Sequence, residues 1–492
     1  MIDTAALREK VLDLAIRGKL VPQDPTDEPA SVLLELIHEQ KLQMVREGKL
    51  KAKDVKDDTI IFKGDDNCYY EKFSDGTIKN IQDEIPFDLP NGWSWCRLKC
   101  ICPYGECDNV ECSEIKNDDW ILDLEDIEKD SGKILAFAKK SDKNSISTKH
   151  KFYQGQLLYS KLRPYLNKVV IAPKAGYCTS EILPLLFWGD IDVHYMQMYL
   201  MSNVFLSYTD KISYGVKMPR LGTADGKQAL IALPPNNEQK LIAKTFQDIL
   251  PALETIKTEQ CALEDIINLL KSKVLELAIQ GKLVPQDEND EPANVLLERI
   301  RTERKAKLGK KYVESYIFKG DDNCYYENNV NNPVEIPFIL PKNWAFSRLA
   351  DIAWLEDGIK IDGEQLPYLD AKTIRGKQTA SMLSCGKAIE KGMQVILVDG
   401  ENSEEVFEVP YRGYIGSTFK VLQVSYGIEK SYVKLILDFY KNLFKDNKTG
   451  SAIPHLNKKI FKSLIVAIPP VSEQKSIVEK VNLVTAILKG GD

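Results

Sequence analysis

Five stretches of the chain carry the residue types from which an anion-binding surface is made. In YSKLRPYLNKV, from Tyr159, the cations Lys161, Arg163 and Lys168 stand among Tyr159, Tyr165 and Asn167. Cations suit phosphates, and aromatic and amide groups suit sugars and base edges. Pro164 would stiffen such a loop and lower the cost of ordering it on binding. VKMPRL, which follows, adds Lys217 and Arg220. In the second half, GSTFK sets Ser417, Thr418 and Lys420 beside Gly416, a grouping suited to backbone and hydroxyl contacts with phosphate. DAKTIRGK adds Lys372, Arg375 and Lys377, and TGSAIPHLNK holds His455, which could reach a base or cap a turn.

Signals for covalent chemistry are weaker. Asp370-Ala371-Lys372 contains the Asp-x-Lys of metal-dependent nucleases, but it is short and has no counterpart in the first half. Asn-Pro-Pro-Phe/Tyr, an adenine-methyltransferase phrase, is absent; LPPN and IPPV place apolar residues before their prolines. GTADGK, from Gly222, misses the spacing and the Ser/Thr of a phosphate-binding loop. Cys96, Cys100, Cys102, Cys107 and Cys112 crowd together and raise a zinc site. They form no Cys-x-x-Cys pair and have no histidine nearby, so reduced thiols in and near a strand are the expectation.

The elements that position these stretches are repeated. LREKVLDLAIRGKLVPQDPTDEPASVLLELI, from Leu7, returns largely unchanged from Leu270. IFKGDDNCYYE, from Ile61, returns at Ile317, and EIPFDLPNGWSWCRL, from Glu84, returns as EIPFILPKNWAFSRL at Glu335. LPPNNEQKLIAK returns as IPPVSEQKSIVEK, with Glu238 matched by Glu473. By these registers Met1 corresponds to position 264 and Asp492 to position 257. The two ends of the chain together thus rebuild nearly one whole copy of the central segment. That is a circular duplication, which implies two equivalent domains about a pseudo-twofold axis.

In the central segment Ile256, Leu263, Leu270 and Leu277 fall seven apart, with Ile267 and Val274 between them. This spacing predicts a helix with an apolar seam, from Ala252 to Gly281, kinked or restarted at Pro251 and serving as a spacer. Further helices are expected over Ala30–Gly48, Val193–Asp210 and Glu429–Phe444. GQLLYSKLRPYLNKVVIA reads as strand, turn, strand; MQVILVD and GYIGSTFKVLQV read as strands. The frames repeat while their interiors differ, as expected of a binder that reads two different things and not of an enzyme with two copies of one active site.

Composition sets the outer bounds. The 492 residues, 43% hydrophobic and 28% charged, suit two to four globular domains. No apolar run reaches the length of a membrane span, and the amphipathic MIDTAALREK is no signal peptide, so a cytoplasmic location is expected. The net charge of -6 does not advertise a nucleic-acid binder, but charge is segregated: residues 151–235 hold nine Lys and Arg against five Asp and Glu.

The order of repeats, with YSKLRPYLNKV, VKMPRL, DGENSEEVF, GSTFK, TGSAIPHLNK and the two PP-x-x-EQK starts, resembles the DNA-specificity (S) subunit of type I restriction-modification enzymes over essentially the whole chain. DGENSEEVF departs from the family's more usual DGSNSG, with Glu401 and Glu404 in place of small residues. The resemblance implies a mixed α/β (α+β) fold: two target-recognition domains joined by long antiparallel helices in a coiled-coil-like spacer. The expected parts are 1–20 and 471–492 as the halves of a split helix, 21–83 and 284–334 as linkers with a helix, 84–235 and 335–470 as the target-recognition domains, and 236–283 as the central spacer. It further implies a non-catalytic subunit whose two domains each grip half of a split, asymmetric site in double-stranded DNA, through the major groove. The partners implied are two modification subunits bringing S-adenosylmethionine for adenine methylation, and restriction subunits bringing ATP and Mg²⁺; this chain itself would hold no cofactor. The rival readings are a nuclease using Asp370 and Lys372, and a coiled-coil scaffold that binds protein.

Overall fold

The computed structural model describes residues 2–143, 146–215, 217–328, 332–400, 402–449, 454–488 and 490. Met1, Val216, Glu401, 450–453 and Asp492, on which some of the sequence expectations fall, lie outside them. The chain divides into two compact units, Met1–Cys261 and Ala262–Asp492.

Each unit is closed by the same frame, and the repetition reaches single atoms. In the first, Ser94–Arg97 pairs antiparallel with Leu230–Leu233. In the second, Ala345–Arg348 pairs the same way with Ile465–Ile468. Each pair brings the start of a domain to its end. The Trp93 indole donates to Glu238 at 2.9 Å, and that of Trp344 to Glu473 at 2.8 Å. Tyr195 and Tyr432 donate to the carbonyls of Ala232 and Ala467, the matching positions of the closing strands. The Arg97–Glu71 pair, at 2.7 Å, matches Arg348–Glu327 at 2.9 Å. Gly18 and Gly281, which end the repeated helices, both adopt positive φ; a Cβ there would stand 2.6 and 2.5 Å from the Pro90 and Pro341 rings. Only glycine meets both demands.

The interiors differ, as the sequence implied. The first holds a four-stranded sheet of Asp108–Val110, Lys149–Phe152, Gly176–Thr179 and Ile121–Leu122, and a three-stranded sheet of Ile182–Leu185, Leu157–Ser160 and Val169–Ile171. The second holds a four-stranded sheet of Ala353–Glu356, Phe419–Val424, Gln394–Leu397 and Val406–Glu408. Beside it the long hairpin Ile359–Leu369/Met382–Ile389 closes with Gly413–Ile415. Helix and strand residues together fill a core in each unit.

Several expectations are corrected in detail. The central helix, expected over 236–283 with a kink or restart at Pro251, does not restart there; it runs over 44 residues, Asn236–Ile279. At ~1.5 Å per residue that is about 66 Å. Proline forfeits one backbone hydrogen bond, which the turns on either side of it outweigh, and Thr255 Oγ donates back to the Pro251 carbonyl at 2.9 Å. The seam is covered only in part. Val274 and Leu275 pack on the second core, whereas Leu263 and Leu270 are exposed, as are Ile266 and Leu269. The helix expected near Val193–Asp210 is two, Val193–Leu200 and Asn203–Ile212, because Ser202 caps the second. Glu429–Phe444 likewise divides, into Lys430–Phe439 and Lys441–Asp446. GYIGSTFKVLQV is two strands, separated by the Gly416–Thr418 turn. Four of the five crowded cysteines are buried, and no metal-binding group of three occurs among the described residues. No described helix is long and apolar enough to cross a membrane.

Candidate nucleic-acid interface

Strands Leu157–Ser160 and Val169–Ile171 pair antiparallel and thrust the loop 161–168 out between them. Arg163 and Asn167 adopt left-handed backbone conformations, uncommon for side chains with a Cβ, so the loop is held by its surroundings. The Arg163 amide donates to the Pro219 carbonyl at 2.7 Å, and the Leu221 amide to that of Lys161 at 2.9 Å. These bonds set the loop against the turn 214–220, whose ends Tyr214 and Arg220 exchange backbone hydrogen bonds.

The expected residues divide into two groups. Lys217 is exposed, Lys161 partly so, and Tyr165 shows 47% of its surface. Asn167 turns inward: it is 6% exposed, and its amide donates to the Met201 carbonyl at 3.0 Å. Lys168 donates to the Leu124 carbonyl at 2.6 Å, and burial pulls its pKa down. These two brace the loop from behind and are not displayed. Tyr159 is buried, and the Arg163 Nε is buried with no hydrogen-bond partner. Arg220 forms an ion pair with Glu181 at 3.0 Å, which raises its pKa and offsets its charge. Sequence reasoning passed over Tyr214, 60% exposed, and Met218, also exposed on the same turn. Their signal was two large side chains flanking a Gly-x-Lys turn with no periodicity to bury them. The face so formed has cations at Lys161 and Lys217, with Tyr165, Tyr214 and Met218 able to stack on or pack against bases and sugars.

In the second unit Ile359–Leu369 and Gly413–Ile415 run parallel, with Tyr368 opposite Tyr414. Their ends release two loops side by side. One begins at Asp370 and exposes Lys372 and Lys377; the other exposes Ser417 and Thr418. The Val398 amide donates to the Thr418 carbonyl, and the Leu456 amide to that of Val398, both at 2.8 Å. This draws the loop of Asp399 and His455 into the same cluster, where His455 Nδ1 lies 2.6 Å from the Asp399 carboxylate. Arg375 pairs with Glu405 and covers the Phe407 ring, so its charge is partly spent. Lys420 shares Asp357 with Lys387, and the two cations draw that carboxyl down to about 2. Glu404 is buried and pairs with Lys448 at 3.0 Å, which offsets its charge. Asp370 caps its own short helix, accepting from the Thr373 amide at 2.7 Å, which is a local structural use for the carboxylate of the nuclease-like triplet.

The first unit thus gathers cations and aromatic side chains, and the second cations and hydroxyls, on loops beside a sheet; the sets share only the Gly, Pro and Leu of YGVKMPRL and TGSAIPHL, whose ends Tyr214–Arg220 and Thr449–His455 make the same bridge. Residues 341–490 match the family described as the type I restriction modification DNA specificity domain. The specificity subunit of the Escherichia coli type I restriction enzyme EcoAI is 24% identical, over 97% of this chain and 88% of that protein. The corresponding EcoEI subunit of E. coli is 26% identical over 70% of this chain and 61% of its own length. That of E. coli EcoDI is 29% identical over 48% and 54%. Among solved structures, a chain from work on complex assembly and conformational transition of the type I R-M system superposes with a TM-score of 0.55 at 15% identity, covering 82% of this chain and 93% of that one.

Proposed function

We infer that this chain, a member of the type I restriction-modification DNA-specificity family, reads a two-part, asymmetric DNA site, one half with each unit, and does no chemistry itself. The observation that carries the two-part reading is the pairing of a frame repeated to single hydrogen bonds with loop sets whose displayed side chains differ. A frame kept twice serves a requirement met twice; loops that differ serve two different sequences. Lys161 and Lys217 in the first unit, and Lys372, Lys377, Ser417 and Thr418 in the second, hold the phosphates. Tyr165, Tyr214 and His455 lie where base edges and sugars would come within reach. The major groove, wide enough for such loops and carrying a distinct pattern for every base pair, is the side that is read.

Catalysis belongs to partner subunits: two modification subunits that use S-adenosylmethionine to methylate adenine, and restriction subunits that use ATP and Mg²⁺. The complex works in the cytoplasm. The test is methylome sequencing of a methylation-free host expressing the chain with its modification subunit. The expected result is adenine methylation at one split, asymmetric motif. Methylation without a motif, or at a continuous one, would contradict the reading.

A further inference from the structure

The longest uninterrupted run shared by the two halves along these repeats is neither a helix nor part of a reading loop. IFKGDDNCYYE stands at 61–71 and again, letter for letter, at 317–327, whereas the longer helical repeat differs at eight of its 31 positions. Both copies form a β-hairpin: Ile60–Lys63 with Tyr69–Lys72, and Ile317–Lys319 with Tyr325–Glu327.

Packing explains part of this identity. Tyr69 is buried, and Glu71 and Glu327 pair with Arg97 and Arg348. Gly64 and Gly320 leave room for the Tyr70 and Tyr326 rings, each 2.9 Å from where a Cβ would stand. Tyr70 and Tyr326 donate to Asp66 and Asp322 at 2.7 and 2.6 Å and fix the tips.

The other face has no such explanation. Phe62 lies against Tyr70 with ring centroids 5.9 Å apart, and Phe318 against Tyr326 at 6.0 Å. Yet Phe62 is 38% and Phe318 45% exposed, and Ile60 and Ile78 extend the first face while Tyr316 extends the second. Lys319 is kept although its neighbourhood changed: Lys63 pairs with Asp88, whose counterpart is Ile339. An aromatic pair kept identical on the surface of two units whose interiors diverged is under a constraint from outside the chain.

We propose that these two hairpin faces are equivalent docking sites for the two modification subunits, one on each. This rests on the reading given above. Identity of the faces calls for an occupant present in two identical copies. Duplex DNA also offers both units the same backbone, but each tip carries an adjacent exposed aspartate pair, Asp65–Asp66 and Asp321–Asp322, which phosphate would meet unfavourably. The occupant is therefore a protein patch, apolar at its centre to receive the Phe–Tyr pair and cationic at its rim.

The test is native mass spectrometry and titration of the full chain with its purified modification subunit. The parent should take up two copies. Phe62→Ala or Phe318→Ala should each weaken one of the two sites by roughly thirtyfold, the scale of an aromatic hot spot, and the double variant should weaken both. Asp65→Lys with Asp321→Lys, on exposed tips where folding is not at stake, should also weaken both. Unchanged uptake of two copies by the double variants would overturn the proposal. So would a loss of DNA affinity with uptake intact, or a dimer of the lone chain that the double Phe variant dissolves. A parent that takes up no modification subunit would instead overturn the functional reading beneath it.

Discussion

Replacing Lys161 and Lys217 together with alanine isolates the electrostatic part of DNA binding by the first unit. Both are displayed, whereas Arg220 is already paired with Glu181 and Lys168 is committed to the Leu124 carbonyl. Each phosphate contact adds roughly 0.9 to the slope of log affinity against log salt, so losing two should flatten the slope by about 1.8. Over a fourfold rise in salt, from about 50 to about 200 mM, those two contacts cost the parent about twelvefold in affinity. The variant should therefore bind more weakly at low salt and close about twelvefold of that gap by the upper end. The loss should be similar on target and random duplexes, because phosphates carry no sequence. Arg220→Ala serves as the control, since its cation is offset in the free protein, and it should change the slope much less. Fluorescence anisotropy of the assembled complex on labelled duplexes across that salt range measures all three. A double variant with the parent's slope would refute the placement of this face at the DNA.

Three further outcomes follow from the frame and the loop braces. Asn167→Ala removes a buried hydrogen bond at a left-handed position and should destabilise the first unit by about 1–3 kcal/mol, seen as a lower midpoint in urea. Gly281→Ala places a Cβ against Pro341 and Trp344 at positive φ, and thermal unfolding of the second unit should move to lower temperature. Burial raises Glu473 to about 7, with the Trp344 hydrogen bond opposing, so its protonated form is favoured in the fold. Stability from this group is full below about 4.3, the unfolded value, and is lost as pH rises through about 7. Glu473→Gln should therefore unfold at a higher temperature than the parent at pH 8, and the difference should vanish near pH 4.

The sequence exposed the frame more fully than the site, for a physical reason. A repeat compares the chain with itself, so Trp93 and Trp344 could be matched before any contact was known. Periodicity and the repeated EQK start placed the central helix, but Pro251 left a restart open that only the continuous backbone rules out. The reading loops have no period and no internal copy. Residue type alone therefore set Asn167 beside Lys161, although one braces the loop and the other faces out. Arg220 and Lys420 counted as free cations until Glu181 and Asp357, distant in sequence, came beside them. Tyr214 and Met218 were missed because only burial separates a displayed side chain from a packed one.

The central claim is that the two units read independently. It is tested most directly by exchanging residues 93–235 for the matching domain of a relative with a different first half-site. The hybrid, expressed with its modification subunit, is followed by methylome sequencing beside the parent. The account predicts a new split motif in which one half changes to the donor's sequence and the other keeps the parent's. A motif altered in both halves, or one unchanged by the exchange, would contradict it.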